Sequence, residues 1–287
     1  MEYNKPPKSP EELAYKLVNK NLLQGISLEN LTKILYDVSY YRLKGYLHPY
    51  YSNNTFSNSI TWDNIWSDYN FDLELRNLFY IHISKIEISI RTNVINTFSI
   101  EYGNNWYNNE ALFFTKERYY KDLHEITNHW NRSNEIFKIN FTIKYSNMPP
   151  AWMIFETTSF GNLSKFYENF IKNNVKQKIA EHYGFNKSTE HILISWIKHL
   201  VYIRNIIAHH GRLFSKIFTT KPIVPKNIFK YLLDKNVFKS DKLFFTVLII
   251  MYLLKYSNND YLIFKNDFIK LLEAHPLLNH HSIGLRL

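Results

Sequence analysis

Four polar side chains that could act on a phosphodiester lie close together near the end of an apolar segment, residues 188–211. They are Arg204, Asn205, His209 and His210. Histidine can accept and donate protons near neutral pH, and the forked, permanently charged arginine side chain suits phosphate oxygens. A plainer interpretation is that cationic side chains stabilise the negative end of a helix without any catalytic role. Both interpretations place the four residues in the last turns of a helix.

The residues before this group predict the helix that positions them. Apolar residues recur there at steps of three and four, at Ile192, Leu193, Trp196, Ile197, Leu200, Ile203 and Ile207. We expect Ser188 to cap the start of the helix and Gly211 to end it. At about 100° per residue Asn205 and His209 share a face, whereas Arg204 and His209 lie about 140° apart. A site that uses both Arg204 and His209 therefore needs an unwound helix end or a second copy of the chain.

The spacing of arginine and histidine alone is weak, since a chain with twelve histidines produces such a pair by chance with odds of roughly one in three. The surrounding residues are more specific. The run RNIIAHHGRLF, residues 204–214, resembles the R-N-x-x-A-H motif of HEPN ribonuclease domains, in the version found in the bacterial Abi family of abortive infection, the AbiD and AbiF type. Three more runs are similar to that family's pattern and follow its order, namely YYRLKGYLHPY at 40–50, FDLELRNLFYIHISKIEISIR at 71–91 and PPAWMIFETTSFGNLSKFY at 149–167. The resemblance spans about residues 5–215.

The resemblance implies an all-α, HEPN-like helical bundle that acts as a metal-independent endoribonuclease and a toxin in phage defence. RNA carries its own nucleophile, the ribose 2′-OH, so the protein need only move protons and stabilise an anionic phosphorane. On this hypothesis His209 is the general acid or base, Arg204 binds the scissile phosphate and Asn205 positions one of the two. Possible supporting residues are His210, Arg212 and Glu87, the last because the resemblance places its helix against that of Arg204.

The resemblance also implies a homodimer that brings two motifs together, which would answer the mismatch of about 140° within one helix. Two other functions stay open. A non-catalytic RNA-binding module, or a toxin–antitoxin component, could use the same basic surface to hold a small structured RNA. An interaction protein that senses phage components is the third possibility. RNA cleavage in the presence of EDTA would separate the first function from the other two.

The charge of the chain favours a polyanionic partner such as RNA. Basic side chains number 35 and acidic ones 25, a net charge of +10, although many proteins this basic bind no nucleic acid. The absence of cysteine excludes disulfides, thiolate metal sites and a cysteine nucleophile. Residues 1–16 lack the pattern of a signal peptide, and the apolar run at 243–254 is shorter than the roughly twenty residues of a membrane span. We therefore expect a cytoplasmic protein with no membrane segment.

Other catalytic chemistries lack their sequence motifs. There is no H-E-x-x-H, and the adjacent rings of His209 and His210 would point in different directions on a helix, so we expect no catalytic metal. The phosphate-binding and dinucleotide-binding glycine loops are absent, as is the G-x-S-x-G turn of serine hydrolases. The expected enzyme therefore has no cofactor.

A second basic group lies in the run 40–50, where Arg42 and Lys44 alternate with tyrosines. Such a run can contact an RNA backbone and stack on bases, and Arg91 is a third candidate for RNA binding. The sequence favours the alternative that these side chains pack their stems against a core. For Arg91 the plainer interpretation is an ion pair with Glu87 four residues earlier.

The remaining segments predict helices joined by short breaks, since seven glycines and nine prolines are too few for a turn-dense β fold. A capping box at 9–12 begins the first helix, and Ser27 caps the second. The longest helix is predicted at 68–100, and shorter ones at 109–133, 151–158, 163–171, 175–183, 228–233, 243–254 and 261–272. Residues 135–145 alternate apolar and polar, which is typical of a strand, with a loop or hairpin as the alternative.

The predicted helices suggest two parts. Residues 1–218 are expected to form the HEPN-like domain. The two prolines at 219–226 predict an extended linker, which opens a C-terminal helical extension at 219–287 that packs on this domain.

Overall fold

Helices dominate the part of the chain that the structure describes, which confirms the all-α class. The computed structural model describes residues 2, 4, 6–52, 55–57, 59–225, 240–278 and 280–284. The α-helices are α1 (Pro10–Tyr15), α2 (Leu28–Asp37), α3 (Tyr40–Leu47), α4 (Trp62–Tyr102), α5 (Lys116–Arg132), α6 (Ile136–Lys144), α7 (Ala151–Ile154), α8 (Phe160–Asn169), α9 (Asn174–His182), α10 (Glu190–Ala208), α11 (Leu243–Ser257) and α12 (Tyr261–Ala274). A two-stranded antiparallel hairpin consists of β1 (Tyr51–Ser52) and β2 (Thr55–Phe56). Single π or 3-10 turns lie at Lys16–Lys20, His48–Tyr50, Trp106–Asn108, Glu110–Leu112 and His280–Ile283.

Polar caps start the first two helices where the sequence predicts them. Ser9 and Glu12 form the capping box of α1, with the Glu12 N–H donating to the Ser9 hydroxyl at 3.3 Å and the Ser9 N–H to the Glu12 carboxylate at 2.9 Å. The Ser27 hydroxyl accepts from the Asn30 N–H at the start of α2, at 3.2 Å. Each bond satisfies an N–H that the first helical turn leaves without a partner. Both predictions are confirmed.

Helix α4 is the longest helix in the described part of the chain, at 41 residues, and confirms the long helix predicted at 68–100. One stripe of its surface is buried, at Phe71, Leu75, Phe79, Ile83, Ile86, Ile90, Val94 and Phe98. These residues are spaced by three or four, so they stack along a single side of the helix. Burial of that stripe, more than local propensity, stabilises so long a helix.

Two compact units make up the chain, and the boundary between them falls inside α4. The first contains residues 1–77 and 267–279, and the second residues 78–266 and 280–287. In the first unit, the buried hydroxyl of Tyr46 donates to the Asp72 carboxylate at 2.6 Å, and Arg76 pairs with the same carboxylate. In the second unit, α10 packs against α8 and α9. The predicted division at residue 218 stays a prediction.

Aromatic side chains fill the core of the second unit. The Trp106 ring stacks on Phe155 at 5.1 Å between ring centres, and Phe98 stacks on Phe170 at 3.9 Å. Phe166 meets the ring of Phe155 edge-on at 5.6 Å. Phe98 joins α4 to the end of α8, and Trp106, in the 3-10 turn after α4, contacts both Phe98 and the residue that follows α7. The side of α4 that carries the supporting residues of the candidate site is thereby fixed in place.

The strand predicted at 135–145 was wrong, because this segment forms helix α6. A helix satisfies its backbone hydrogen bonds internally, whereas a strand here would have needed a pairing partner. Phe141 is buried and contacts Trp130 on α5 at 6.0 Å between ring centres. Ile136 and Ile143 are about three-quarters exposed, at 75% and 77%. The alternating pattern therefore reflects apolar residues on the surface of a short helix.

The apolar run at 243–254 is the buried helix α11, as predicted, and α12 follows it. No helix among the described residues combines the length and apolar character that a bilayer crossing needs. The helix predicted at 109–133 begins later, at Lys116, because short 3-10 turns occupy Trp106–Asn108 and Glu110–Leu112. The helix predicted at 228–233 lies outside the described residues.

Candidate functional site at the end of helix α10

Helix α10 is anchored by a buried side that runs along its length. Leu193, Trp196 and Leu200 are completely buried, and the Trp196 indole N–H donates to the carbonyl of Ile223 at 2.9 Å. The helix begins at Glu190 with Thr189 in the N-cap position, so the expectation that Ser188 caps it was wrong. A turn precedes the helix, because the hydroxyl and the N–H of Ser188 both donate to the side chain of Asn186.

The last turn of α10 closes with two hydrogen bonds that run back along the helix. The N–H of His210 donates to Ile207 O at 2.9 Å, and the N–H of Gly211 donates to Ile206 O at 2.7 Å. His210 has a φ of +53°, in the left-handed region, which costs a residue with a Cβ about 1–2 kcal/mol. The helix stops close to the predicted point, but His210 rather than Gly211 adopts the left-handed conformation. Gly211 is required for space, since a Cβ there would lie 2.8 Å from Ile206 Cγ2.

Arg204 of α10 meets Glu87 of α4. The Oε2 atom of Glu87 lies 4.0 Å from Nε of Arg204, and a terminal nitrogen of Arg204 donates to Asn205 Oδ1 at 3.3 Å. The Arg204 side chain is 34% exposed, so one edge of the guanidinium is held and another remains open to solvent. Asn205 and His209 are exposed, and the His209 N–H donates to the Asn205 carbonyl at 3.1 Å. In the structure Arg204 thus contacts both Glu87 and Asn205, and His209, one turn after Asn205, is accessible.

Glu87 also pairs with Arg91, one turn further along α4. The two side chains approach to 2.7 Å, and both are largely buried. The other terminal nitrogen of Arg91 donates to Thr158 O at 2.8 Å and to Phe155 O. Arg91, predicted as an RNA contact, therefore points into the protein and ties α4 to the turn between α7 and α8. Its buried charge fixes the Glu87 carboxylate that faces Arg204.

His199 is a buried titratable residue of α10 that the sequence analysis missed. Its Nδ1–H donates to Thr220 O at 2.7 Å, and its Nε2 accepts from the Thr246 hydroxyl at 2.8 Å. The carbonyl of Thr220 can only accept, which assigns the proton to Nδ1. Burial lowers the pKa of His199 to about 4, against the opposing effect of the hydrogen bond to Thr220, so the ring is neutral at pH 7. One sequence signal was available, since Thr246 is the residue that interrupts the apolar run at 243–254.

The contact between Arg204 and Glu87 lies inside a segment of known family. A family model described as Abi-like protein matches residues 33–215, more than half of the chain. The chain belongs to the Abi-like family. Membership points to a role in abortive infection and confirms the resemblance to the Abi family. No curated protein and no solved structure matches the chain.

The remaining predicted residues of this Abi-like protein lie in two places. His210 is exposed and Arg212 half-buried, and both follow α10 directly, where the buried side chains of Leu213 and Phe214 anchor the chain. Arg42 is exposed on α3, in the first unit. Lys44, also on α3, is exposed and lines a cavity of about 40 Å³ together with three aromatic residues and His48. Arg42 and Lys44 are therefore open to solvent, in contrast to Arg91.

The chemistry available at the end of α10 is that of an imidazole, an amide and a tethered guanidinium. Within the described ranges, no group of three histidine, aspartate or glutamate side chains is placed to hold a metal ion. Arg204 offers charge-assisted hydrogen bonds to an anion, and His209 offers proton transfer. Together these groups can transfer protons to and from a phosphodiester and stabilise its negative charge, and neither step changes an oxidation state.

Proposed function

We propose that this Abi-like protein is a HEPN-type endoribonuclease that cleaves RNA without a metal and thereby halts the growth of an infected cell. One observation carries the proposal. The Arg204 guanidinium is held against Glu87 yet remains partly exposed, next to the accessible Asn205 and His209. Helix α10 is buried along its other side, and the exposure of these polar residues does not improve its packing. Their exposure is therefore better explained by a role in binding or catalysis.

In the proposed reaction, the ribose 2′-OH attacks the adjacent phosphorus, and the 5′-oxygen of the next nucleotide leaves. His209 removes the proton of the 2′-OH or donates one to the leaving oxygen, and Arg204 stabilises the charge that builds on the phosphorane oxygens. Asn205 orients Arg204, since its Oδ1 already accepts from that side chain. The products are a 2′,3′-cyclic phosphate and a 5′-hydroxyl.

A second copy of the chain is part of the proposal. Attack and departure each need a proton transfer, and the strand must lie between the two groups that perform them. Arg204 and His209 lie about 140° apart around the axis of an ideal helix. A homodimer in which two α10 ends face each other supplies two imidazoles and two guanidinium groups. The mass of the protein in solution, measured by light scattering, tests this expectation.

The double variant Arg204→Ala, His209→Ala tests the catalytic assignment. We expect the purified full-length protein to cleave total RNA in EDTA, and the double variant to have lost both this activity and toxicity in cells. The 5′-hydroxyl ends are identified by direct phosphorylation with a kinase, and the 2′,3′-cyclic phosphate ends by their resistance to a phosphatase until acid has opened the ring. Circular dichroism shows whether the variant keeps its helical content.

The chain supplies a matched control at the end of α5, where His129 and Arg132 lie in the last turn. The control variant His129→Ala, Arg132→Ala removes the same residue types from the end of another helix and should leave cleavage intact. Cleavage that persists in the Arg204, His209 variant would show that the site lies elsewhere. RNA that binds but stays whole in the presence of the unmodified protein would favour the RNA-binding module instead.

A further inference from the structure

A groove of about 440 Å³ lies beside the first half of α10, away from the helix end described above. Its walls come from α8, from α10 and from the chain that follows α10. Glu168, Lys198 and Lys221 supply its charges, and Ile194 and Ile223 supply apolar surface. The Ser195 hydroxyl accepts from the backbone N–H of Ile223 at 2.9 Å, which holds the two sides of the groove together.

The lysines of the groove are oriented by carboxylates yet remain accessible. Lys198 pairs with Glu168 at 2.8 Å with its side chain 48% exposed, and Lys221 pairs with Asp241 at 2.8 Å with its side chain 58% exposed. Arg118 from α5 binds the other oxygen of Glu168 at 2.5 Å. Arg118 also contacts the Asp122 carboxylate at 3.6 Å. Among the residues that line the groove itself, two lysines stand against one carboxylate, that of Glu168. Ion pairs this exposed are weak, so an incoming phosphate can replace a carboxylate as partner.

The groove lies on the same face of α10 as Asn205 and His209, whereas Arg204 lies about 120° from Lys198 around the helix axis. At about 100° per residue, Lys198 is about 20° from Asn205 around the helix axis. Lys198 and Asn205 are both exposed. A rise of about 1.5 Å per residue places them about 10 Å apart along the axis. A strand that enters the groove and follows this face therefore arrives at Asn205 and the residues beside it.

Tyr202 lies between these two points on the exposed side of the helix. Its ring is half-buried, and its centre lies 6.1 Å from that of Phe218, which is fully buried. An aromatic ring with one side on the core and another open to solvent can stack on a base of any identity. Cations followed by an aromatic ring are the arrangement by which proteins hold single-stranded nucleic acid without reading its sequence.

We propose that this groove binds the phosphate backbone of single-stranded RNA and guides the strand along the outer face of α10 to the Arg204 end. That the strand is RNA rests on the proposed function. The inference adds the substrate class, which is an unpaired RNA segment that extends beyond the bond to be cut. Lys198 and Lys221 contact phosphates, and Tyr202 stacks on an intervening base.

The test is the binding of a labelled polyuridine 15-mer, measured by fluorescence anisotropy in EDTA at several salt concentrations. All proteins carry His209→Ala, so that the probe stays intact. The variant Lys198→Gln, Lys221→Gln should raise Kd roughly tenfold or more. The logarithm of the binding constant falls linearly with the logarithm of the salt concentration, and the steepness of this slope should decrease by about 1.4. Each of the two lost phosphate contacts on a single strand contributes about 0.7.

The matched control is Lys85→Gln, Lys178→Gln. Both residues are partly exposed lysines of the second unit, paired with Asp260 and with Glu101, and neither lines the groove. The control removes the same charge and the same number of ion pairs, and it should leave Kd within about twofold. The variant Lys198→Arg, Lys221→Arg should bind as tightly as the parent protein, because arginine also binds phosphate.

Equal weakening by the groove pair and the control pair would overturn the proposal, because the effect would then be one of total charge. An unchanged Kd in the groove variant would overturn it as well. If cleavage requires Arg204 and His209 but RNA binding does not depend on Lys198 and Lys221, the groove proposal is refuted and the proposed function is not. RNA that binds through the groove but is never cut would refute the proposed function and leave the groove in place.

Discussion

The carboxylate of Glu87 lies 4.0 Å from Nε of Arg204 and bridges that side chain to the buried Arg91. One acidic residue of α4 thus sets the position of a guanidinium on α10. Glu87 is 16% exposed, so solvent screens its charge only in part. The candidate phosphate-binding residue therefore depends on a helix distant in sequence.

Glu87→Gln should lower RNA cleavage about 10- to 100-fold, because a displaced guanidinium stabilises the transition state poorly. The amide retains an oxygen for Arg91 but loses the negative charge, so the free energy of unfolding should fall by about 1–3 kcal/mol. Cleavage rates and urea unfolding measure the two effects separately. Glu101→Gln, an exposed ion-pair residue on the same helix, is the control and should change neither. Lower stability with full activity would mean that Glu87 serves Arg91 alone.

Gly211→Ala should destabilise the protein by about 1–3 kcal/mol, because the new Cβ would press on Ile206, 2.8 Å from Cγ2 and 3.1 Å from the carbonyl oxygen. Gly161→Ala is the matched control. A Cβ at Gly161 meets its neighbours at ordinary distances of 3.7 Å and more. Alanine there should stabilise α8 by about 0.5–1 kcal/mol. Thermal melting of both variants checks the prediction, and a fall in stability at both positions would contradict it.

Acid should destabilise the second unit through His199. Burial lowers its folded-state pKa to about 4, below the ordinary 6.5, so its contribution is complete above pH 6.5 and is lost as the pH falls towards 4. The loss should reach about 3 kcal/mol. His199→Gln should cost stability at pH 7.5 but reduce the difference between pH 7.5 and pH 4.5. The exposed His124→Gln is the control, and an unchanged pH dependence in the His199 variant would refute the assignment.

Asp68 should give the opposite pH dependence in the first unit. Burial raises its pKa to about 7, although the hydrogen bond from Tyr50 acts against the shift, and nearby Asp72 adds to it. The neutral form is favoured in the folded state, so stability is highest below pH 4 and declines as the pH rises to 7. Asp68→Asn should therefore stabilise the protein at pH 8 and have little effect at pH 4, as measured by urea unfolding. An equal effect at both pH values would argue against the shift.

Local signals in the sequence predicted most of the helices. The caps at Ser9 and Ser27 and the buried stripe of α4 depend on residues a few positions apart, which a linear reading detects. The strand prediction for residues 135–145 was wrong, because alternating apolar residues on an exposed helix resemble the pattern of a half-buried strand. The start of α10 was misplaced because Ser188 belongs to a separate turn.

Long-range contacts decided what the sequence could not show. Arg91 was interpreted as either an RNA contact or an ion-pair residue, and its bonds to Phe155 and Thr158 required the folded structure. The burial of His199 cannot be predicted from neighbouring residues, because its partners, Thr220 and Thr246, lie 21 and 47 residues away. The contact between Glu87 and Arg204 was expected from family resemblance, and no spacing rule would have found it.

The closed last turn of α10 has a consequence for any anion that reaches it. The backbone N–H groups of residues 209–211 all donate to carbonyls of the helix, so none of the three is available to bind a phosphate. The same end carries the negative pole of the helix, equivalent to about half an elementary charge. Attraction at this point must come from side chains, working against a backbone that repels the ligand. Replacement of Arg204 by a neutral residue would therefore leave a helix end that repels phosphate instead of binding it.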